Sequence, residues 1–283
     1  IGDNTNRTMT ISGEVSVDGG TLEMSSGNNA ADRGTINVAG NFSQNGGTIT
    51  ETLSGRGVIN FTGNAVQAFS KNALASISNS IDFSINSDAT VDFGTSVLNG
   101  SSGTFTLNSN GKIVTANASG FYSAGNNGCI QVGGTRTYSS LADYEFKGTS
   151  TGIFTTSSNP QVRNFVVNNT TGNVLMSQPM TVNGVLTLTA GLLTTTATNL
   201  LTIGATGSSS AATNASFVNG PMAKVFAAPL TGFTFPVGKA GTGFRNIGIT
   251  APSAASTFQA EFFRALPATG ILGTGLTQIS ACE

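Results

Sequence analysis

The chain has 283 residues, with Lys+Arg 12 against Asp+Glu 13 and a formal net charge of -1, and it contains neither His nor Trp. This charge balance excludes the basic surface that nucleic-acid binding requires, and the lack of His excludes His-dependent catalysis, His-ligated metal sites and His pH switches. No run of about 20 apolar residues occurs, so we expect no membrane-spanning helix.

Short apolar–polar–apolar triplets recur along the first half of the chain, and each has the period of two that is typical of a half-buried strand. Gly, Asn or Ser follows each triplet, as expected of a turn. The first members of successive triplets lie 21, 23, 22, 24 and 25 positions apart. They are Val15, Ile36, Ile59, Ile81, Phe105 and Ile130.

This spacing predicts an all-β fold, a β-solenoid (parallel β-helix) with coils of about 22 residues, over residues 1–205. One coil cannot bury its own inward side chains, whereas stacked coils align these side chains into continuous internal ladders. The six residues above are therefore the predicted structural core ladder, buried and stacked on one another in successive coils. An antiparallel β-sandwich with short strands is the rival interpretation of the same pattern.

A change of composition near residues 205–216 predicts the end of the solenoid. Residues 204–213 are all Gly, Ala, Ser or Thr, which is typical of a linker, and five of the seven Pro residues lie after residue 220. The alternating segments 233–238 and 257–263 indicate a small β-sandwich-like module over residues 216–283. Because the chain stops just after the run 276–279, we expect this module to be truncated.

Several stretches have a distinctive order along the chain. They are GRGVINFTGNAVQAFS at 55–70, TYSSLADYEFKGTSTGIF at 137–154, PQVRNFVVNN at 160–169, MTVNGVLTLTAGLL at 180–193, SFVNGPMAKVF at 216–226 and FTFPVGKAGTGFRNIGIT at 233–250. In this order they resemble segments of large secreted, adhesin-like β-solenoid surface proteins of Bacteroidota, which are cargo of type IX secretion. The resemblance implies a β-solenoid stalk joined to a β-sandwich-like module in a longer polypeptide. It implies no catalytic residues.

The main candidate for catalytic chemistry is the segment 143–147. Strand alternation places Asp143, Glu145 and Lys147 on one face and Tyr144 and Phe146 on the other. Two neighbouring carboxylates are the groups that cleave glycosidic bonds, and many solenoids are polysaccharide-cleaving enzymes. A solvated strand face with a Glu–Lys neighbour pair is the simpler interpretation, because a glycan site needs further charges and stacking aromatic rings.

Three further patterns are weaker. Asp82, Asp88 and Asp92 offer oxygen ligands for calcium, but no calcium-loop pattern surrounds them, so we expect solvated carboxylates. Residues 232–239 lack the glycine spacing and the Ser or Thr of a phosphate loop. The threonines between residues 187 and 198 do not recur in earlier coils, as a repeated surface array would require.

These observations predict a non-catalytic structural or adhesive segment of a secreted cell-surface or filament-forming protein, located outside the cell. We expect no enzyme activity, no metal and no cofactor. The expected partners are further modules of the same longer chain or neighbouring subunits, and surface glycans, but not nucleic acid. A polysaccharide lyase or glycoside hydrolase on a β-helix scaffold is the alternative. Whether Cys129 and Cys282 form a disulfide stays open, because sequence does not show how closely they approach.

Overall fold

The computed structural model describes residues 1–121, 125–148, 152–154, 161–170, 172–227, 231–250 and 252–263, and their regular structure is entirely β. No helix in this part of the chain has the length and apolarity to cross a membrane. Successive strands alternate among three faces, and nearly every strand pairs in parallel with the strand three positions further along the chain. The fold is a parallel β-solenoid, so the predicted fold class is confirmed and the antiparallel alternative for this region is wrong.

The first face consists of a six-stranded and a five-stranded sheet. Its strands are β1 (Arg7–Ile11), β4 (Arg33–Val38), β7 (Arg56–Phe61), β10 (Ile81–Ile85), β13 (Phe105–Leu107), β16 (Arg136–Tyr138), β19 (Gln161–Val162), β22 (Met180–Val182), β25 (Leu201–Ile203), β28 (Met222–Phe226) and β33 (Ser256–Ala260). All pairs within it are parallel except the last, β28 with β33.

The second face is one nine-stranded sheet with one strand per coil, so the solenoid makes about nine coils. Its strands are β2 (Val15–Val17), β5 (Phe42–Gln44), β8 (Val66–Lys71), β11 (Thr90–Asp92), β14 (Lys112–Thr115), β17 (Asp143–Gly148), β20 (Asn164–Asn169), β23 (Val185–Ala190) and β26 (Ser208–Ser209). This continuous sheet carries the charged side chains described below.

The third face is divided into sheets of three, two and six strands. Its strands are β3 (Thr21–Glu23), β6 (Thr48–Thr50), β9 (Ser76–Ile77), β12 (Leu98–Gly100), β15 (Ile130–Val132), β18 (Gly152–Phe154), β21 (Val174–Met176), β24 (Leu193–Thr194), β27 (Val218–Asn219), β30 (Val237–Lys239) and β31 (Gly243–Phe244). A separate antiparallel pair is formed by β29 (Phe233–Phe235) and β32 (Ile247–Ile249).

Stacked apolar side chains fill the interior between the three faces. Along the second face the rings of Phe42 and Phe69 are nearly parallel, at 7°, with centroids 5.9 Å apart, and Phe93 lies 4.8 Å beyond Phe69. All three rings are buried. Burial of apolar side chains in successive coils is the main stabilising contribution, because no single coil encloses a core of its own.

The six residues of the predicted core ladder are all buried, but they do not form one ladder. Ile36 pairs with Ile59, as expected, whereas Ile59 pairs next with Phe83 rather than with Ile81. Phe83 in turn pairs with Phe105, so these four paired residues form one ladder on the first face.

The other predicted members occupy different ladders. Val15 pairs with Phe42 on the second face, and Ile130 pairs with Leu98 on the third. Ile81 is another inward residue of β10, two positions before Phe83, and it pairs with Gly57. The predicted register is wrong because all three faces carry the same apolar–polar–apolar pattern. The coils also differ in length, with steps from 19 residues between β21 and β24 to 32 residues between β12 and β15.

The solenoid does not end near residue 205. Strand β26, inside the predicted linker, pairs in parallel with β23, and β27 pairs in parallel with both β24 and β30. Small residues are required here because the corners are tight, and a Cβ at Gly207 would lie 2.6 Å from the carbonyl oxygen of Val182. The predicted boundary at 205–216 is therefore wrong, and parallel coils continue as far as β30.

Antiparallel strands follow the last parallel strands of the first and third faces. β33 pairs with β28, and β31 pairs with β30. Within residues 216–283, predicted to be a β-sandwich-like module, β27, β28 and β30 thus continue the parallel coils, and only β29, β31, β32 and β33 form antiparallel pairs. The run 276–279, on which the expectation of a truncated module depends, lies outside the described residues.

Candidate functional site on the second face

Strand β17 presents the candidate carboxylates as the sequence predicts. Its side chains alternate, with Tyr144 and Phe146 fully buried and Asp143, Glu145 and Lys147 facing outward. The hydroxyl of Tyr144 donates a hydrogen bond to the carbonyl oxygen of a residue at the preceding corner, and burial raises the pKa of this phenol well above its usual range. Tyr144 therefore belongs to the core and is not exposed beside the carboxylates.

Asp143 is fully engaged by the next coil. Both oxygens of its carboxylate accept hydrogen bonds from the Arg163 guanidinium, with Nε–Oδ1 at 2.7 Å and Nη2–Oδ2 at 2.8 Å. The side-chain amide of Asn164, its register partner in β20, donates a third bond of 2.9 Å to Oδ1. A carboxylate held this way by three hydrogen bonds has to break them before either oxygen can contact a substrate.

Glu145 is bound from the coils on both sides. Its Oε2 lies 2.7 Å from the ammonium of Lys112 in β14, and its Oε1 accepts a bond of 3.1 Å from the amide of Asn168 in β20. Both oxygens are thus occupied by groups from neighbouring coils. Each bond joins one coil to the next.

The simpler interpretation predicted that Lys147 pairs with Glu145, but the structure pairs Lys147 with a different carboxylate. Lys147 forms an ion pair with Asp92 of β11, two coils away, across the outer surface of the second face. Together these contacts form a charged stripe, which we define as Asp92, Lys112, Asp143, Glu145, Lys147 and Arg163. Each cation of the stripe contacts an anion of the stripe, so the stripe is an electrostatic tie between coils.

The three aspartates considered for calcium are not brought together. Asp82 lies on the first face and forms a bidentate ion pair with Arg56, whereas Asp92 lies on the second face in the stripe. Asp88 lies in the turn between these two faces with a φ of 65°. Within the described ranges no three His, Cys, Asp or Glu side chains are grouped so that they would hold a metal ion.

The phosphate-loop segment and the threonine array do not form sites either. Residues 232–239 are largely the strands β29 and β30, so they form no phosphate-binding loop. The threonines of β23 lie on the second face and Thr194 of β24 lies on the third. Thr195 is buried and donates to a main-chain carbonyl 2.7 Å away. These threonines therefore do not form one surface array.

Sequence reasoning missed a buried cation on the first face. Arg136 follows Phe105 in the first-face ladder, and its guanidinium turns inward to donate to the carbonyl oxygen of Val132 at 2.8 Å and to that of Gly125 at 2.7 Å. Burial lowers its pKa. The sequence does contain a signal for this burial. Arg136 is the first residue of the alternating triplet 136–138, and the third residue, Tyr138, is also buried.

A second buried cation lies near the C-terminal end. The ammonium of Lys224 donates to the carbonyl oxygens of Gly204, Ala205 and Gly207, at 2.6, 3.0 and 2.8 Å. The ring of Phe233 lies 5.5 Å from the same nitrogen, and burial lowers the pKa of the lysine. The side chain ties the corner of one coil to the strand of the next. No sequence pattern indicates this contact, because Lys224 is a single charged residue within a short apolar segment.

The only described cysteine, Cys129, is a buried free thiol. Cys282, the other cysteine of the disulfide that the sequence left open, lies outside the described residues. Burial raises the pKa of the Cys129 thiol to about 12, so the thiolate is a rare form at neutral pH. Cys129 is therefore a core residue and has no reactive character.

A comparison of the chain with protein-family models, with curated proteins and with solved structures finds no match. The solenoid and its charged stripe are accordingly the basis for the functional proposal.

Proposed function

We propose that the chain is a non-catalytic structural or adhesive segment of a secreted cell-surface or filament-forming protein. The observation that carries this proposal is the engagement of Asp143 and Glu145. Both oxygens of each carboxylate accept hydrogen bonds from Arg, Lys or Asn of adjacent coils. The charges that would serve a hydrolase or lyase are instead used to join coils into a rod.

The wider proposal combines the fold with the resemblance to secreted surface proteins of Bacteroidota. A parallel solenoid is a stiff, extendable scaffold, suited to holding other modules away from a surface. Its polar, weakly charged exterior is consistent with an extracellular location and with contact to neutral surface glycans. The antiparallel strands β31 to β33 are, in this proposal, the start of the β-sandwich-like module, and the partners are further modules of a longer chain or neighbouring subunits.

Two measurements test this proposal. Antibodies raised against the chain should label unbroken cells that produce it, and labelling only after permeabilisation would contradict the extracellular assignment. The purified chain should also leave acidic and neutral polysaccharides intact. If it depolymerises any of them, and the double variant Asp143→Asn, Glu145→Gln has lost that activity while keeping its circular dichroism spectrum, the enzyme alternative is correct.

A further inference from the structure

The third face is interrupted on the side of the rod, between β9 and β12. The two strands are neighbours, but β9 ends one sheet and β12 begins the next. Across the interruption the main-chain N–H of Asn79 donates to a side chain, the hydroxyl of Ser101 at 2.6 Å, where a parallel ladder would offer a carbonyl oxygen. A depression of about 360 Å³ opens here. Strands of the same face lie on both sides of it, so its existence does not depend on either end of the chain.

One wall of the depression is a long connection in the next coil. The chain passes from the second to the third face through residues 93–97 in the coil of β12, but through residues 116–129 in the coil of β15. The structure describes this longer connection except for residues 122–124. Its end is tied to β15, because the side-chain amide of Gln131 donates to the carbonyl oxygen of Gly128 at 2.9 Å.

The buried cation Arg136 holds the same wall. Its ladder partner in the preceding coil is the apolar ring of Phe105, so the position itself does not require a charge. Burial of a guanidinium is costly unless its donors are bonded. Here one donor bonds the carbonyl oxygen of Gly125 at 2.7 Å, and the next residue, Asn126, lines the depression. The arginine therefore ties the wall to the interior of the rod, as a preformed site requires.

The lining of the depression is polar but uncharged. The side-chain amides of Asn99 and Asn126 are exposed there, and in the described part of the chain they make no hydrogen bond. The hydroxyl of Ser101 accepts a bond and keeps its own proton to donate. Ala75 and Ile77 add apolar surface. Among the described lining residues there is no charged and no aromatic side chain.

We propose that this depression binds a neutral sugar unit of a surface glycan. The proposal rests on the proposed function, in which surface glycans are partners, and it names the site. An amide both donates and accepts hydrogen bonds, and so does a sugar hydroxyl, so Asn99 and Asn126 suit neighbouring hydroxyls of one ring. The methyl groups of Ala75 and Ile77 suit its C–H face. A phosphate, sulfate or uronate would bring a charge that finds no partner in this lining.

The contact is weak and does not cleave the glycan. Small-molecule sites span about 300–1,000 Å³, so this depression has room for about one or two sugar rings. Cleavage is not expected, because the described lining offers no carboxylate. Without an aromatic ring to stack on the sugar, we expect a dissociation constant in the millimolar range. Such contacts hold a surface when a longer chain or several copies engage it at many points.

The test measures binding of single sugars to the whole chain by saturation-transfer difference NMR. Glucose, galactose, mannose and N-acetylglucosamine are titrated to about 100 mM, which covers millimolar dissociation constants. At least one should bind, and the double variant Asn99→Ala, Asn126→Ala should raise its dissociation constant about tenfold, because two hydrogen-bonding amides are lost. Both side chains are exposed, so the circular dichroism spectrum should be unchanged.

Asn28→Ala, Asn64→Ala is the matched control. These asparagines are exposed elsewhere on the rod, and in the described structure their side chains likewise make no hydrogen bond. This variant should leave the dissociation constant unchanged. The proposal is overturned if none of the four sugars binds, if glucuronate binds more tightly than all four, or if the two double variants have equal effects. None of these results bears on surface labelling or on polysaccharide cleavage, so the proposed function is tested separately.

Discussion

Asp143 and Arg163 lie on neighbouring coils and are joined by two parallel hydrogen bonds of 2.7 and 2.8 Å. This bidentate pair is partly buried, with 18% of the Asp143 side chain accessible. We expect Asp143→Asn to lower the free energy of unfolding by about 1 kcal/mol, because the amide keeps the shape but loses the charge that faces the guanidinium. Urea unfolding followed by far-ultraviolet circular dichroism measures this, since the chain has no Trp.

Glu14→Gln is the matched control, since Glu14 is an exposed carboxylate. It should change the free energy of unfolding by less than about 0.5 kcal/mol. The loss in Asp143→Asn should also shrink as salt is added. Equal stability of Asp143→Asn and the unmodified chain at low salt would show that the pair adds nothing to coil stacking.

The environment of Asp82 predicts that the free energy of unfolding depends on pH. Burial opposes ionisation of this carboxyl, but hydrogen bonds from Arg56 and Thr104 outweigh it and hold its pKa below the usual value of 3.8. A pKa that is lower in the folded state means that the ionised group stabilises the fold above pH 3.8. This contribution is lost as the pH falls through the folded-state pKa.

The comparison of the unmodified chain with Asp82→Asn isolates that contribution. Near neutral pH we expect the unmodified chain to be more stable by about 1 kcal/mol. The difference should narrow steadily as the pH is lowered from about 5 to about 2. A difference that stays constant over this range would mean that ionisation of Asp82 is not coupled to folding.

The sequence was sufficient for the fold class but insufficient for the register. Alternating triplets at coil-length spacing predicted stacked parallel strands, because one coil alone has no core. They did not reveal which triplets stack, since Val15 and Ile36 carry the same pattern on different faces. The sequence also could not predict the long-range ion pairs. Lys147 and Asp92 are 55 positions apart, and they meet only because the two coils between them return the chain to the same face.

Ile81 should be intolerant of charge. Ile81 is 1% accessible and packs against Gly57. A Cβ added to Gly57 would lie 2.5 Å from Cδ1 of Ile81. Ile81→Asp places a carboxylate in this apolar space and should lower the free energy of unfolding by more than about 3 kcal/mol. Ile81→Val, which removes one methyl group, should cost about 0.5–1.5 kcal/mol. Similar stabilities of the two variants in thermal and urea unfolding would contradict the burial of Ile81.

Cys129 should resist alkylation in the folded protein. The thiol is completely buried and its pKa is raised to about 12, so both access and thiolate concentration are low. After iodoacetamide treatment at neutral pH, peptide mapping should find Cys129 unmodified in the native chain and fully modified in guanidinium chloride. Rapid modification of Cys129 under native conditions would instead place it at an accessible site.

Removal of one whole coil tests the repeat architecture most directly. Phe83 pairs with Phe105, 22 positions later, and the same step separates Thr90 from Lys112 on the second face. Deletion of residues 83–104 therefore brings Phe105 into the position of Phe83 opposite Ile59, with the inward Phe preserved. Because stacked coils contact only their neighbours, the shortened chain should fold with an unchanged circular dichroism spectrum per residue. Its urea m-value should fall by about a tenth.

Deletion of residues 83–93 is the matched control, since it removes about half a coil. It should split unfolding into separate transitions, because the strands after the deletion no longer stack in register on those before it, although they still stack on one another. The contrast between the two deletions depends on the register and not on the number of residues lost. If both deletions unfolded alike, the coils would not be exchangeable units, and the ladder from Ile59 through Phe83 to Phe105 would not be what orders the stack.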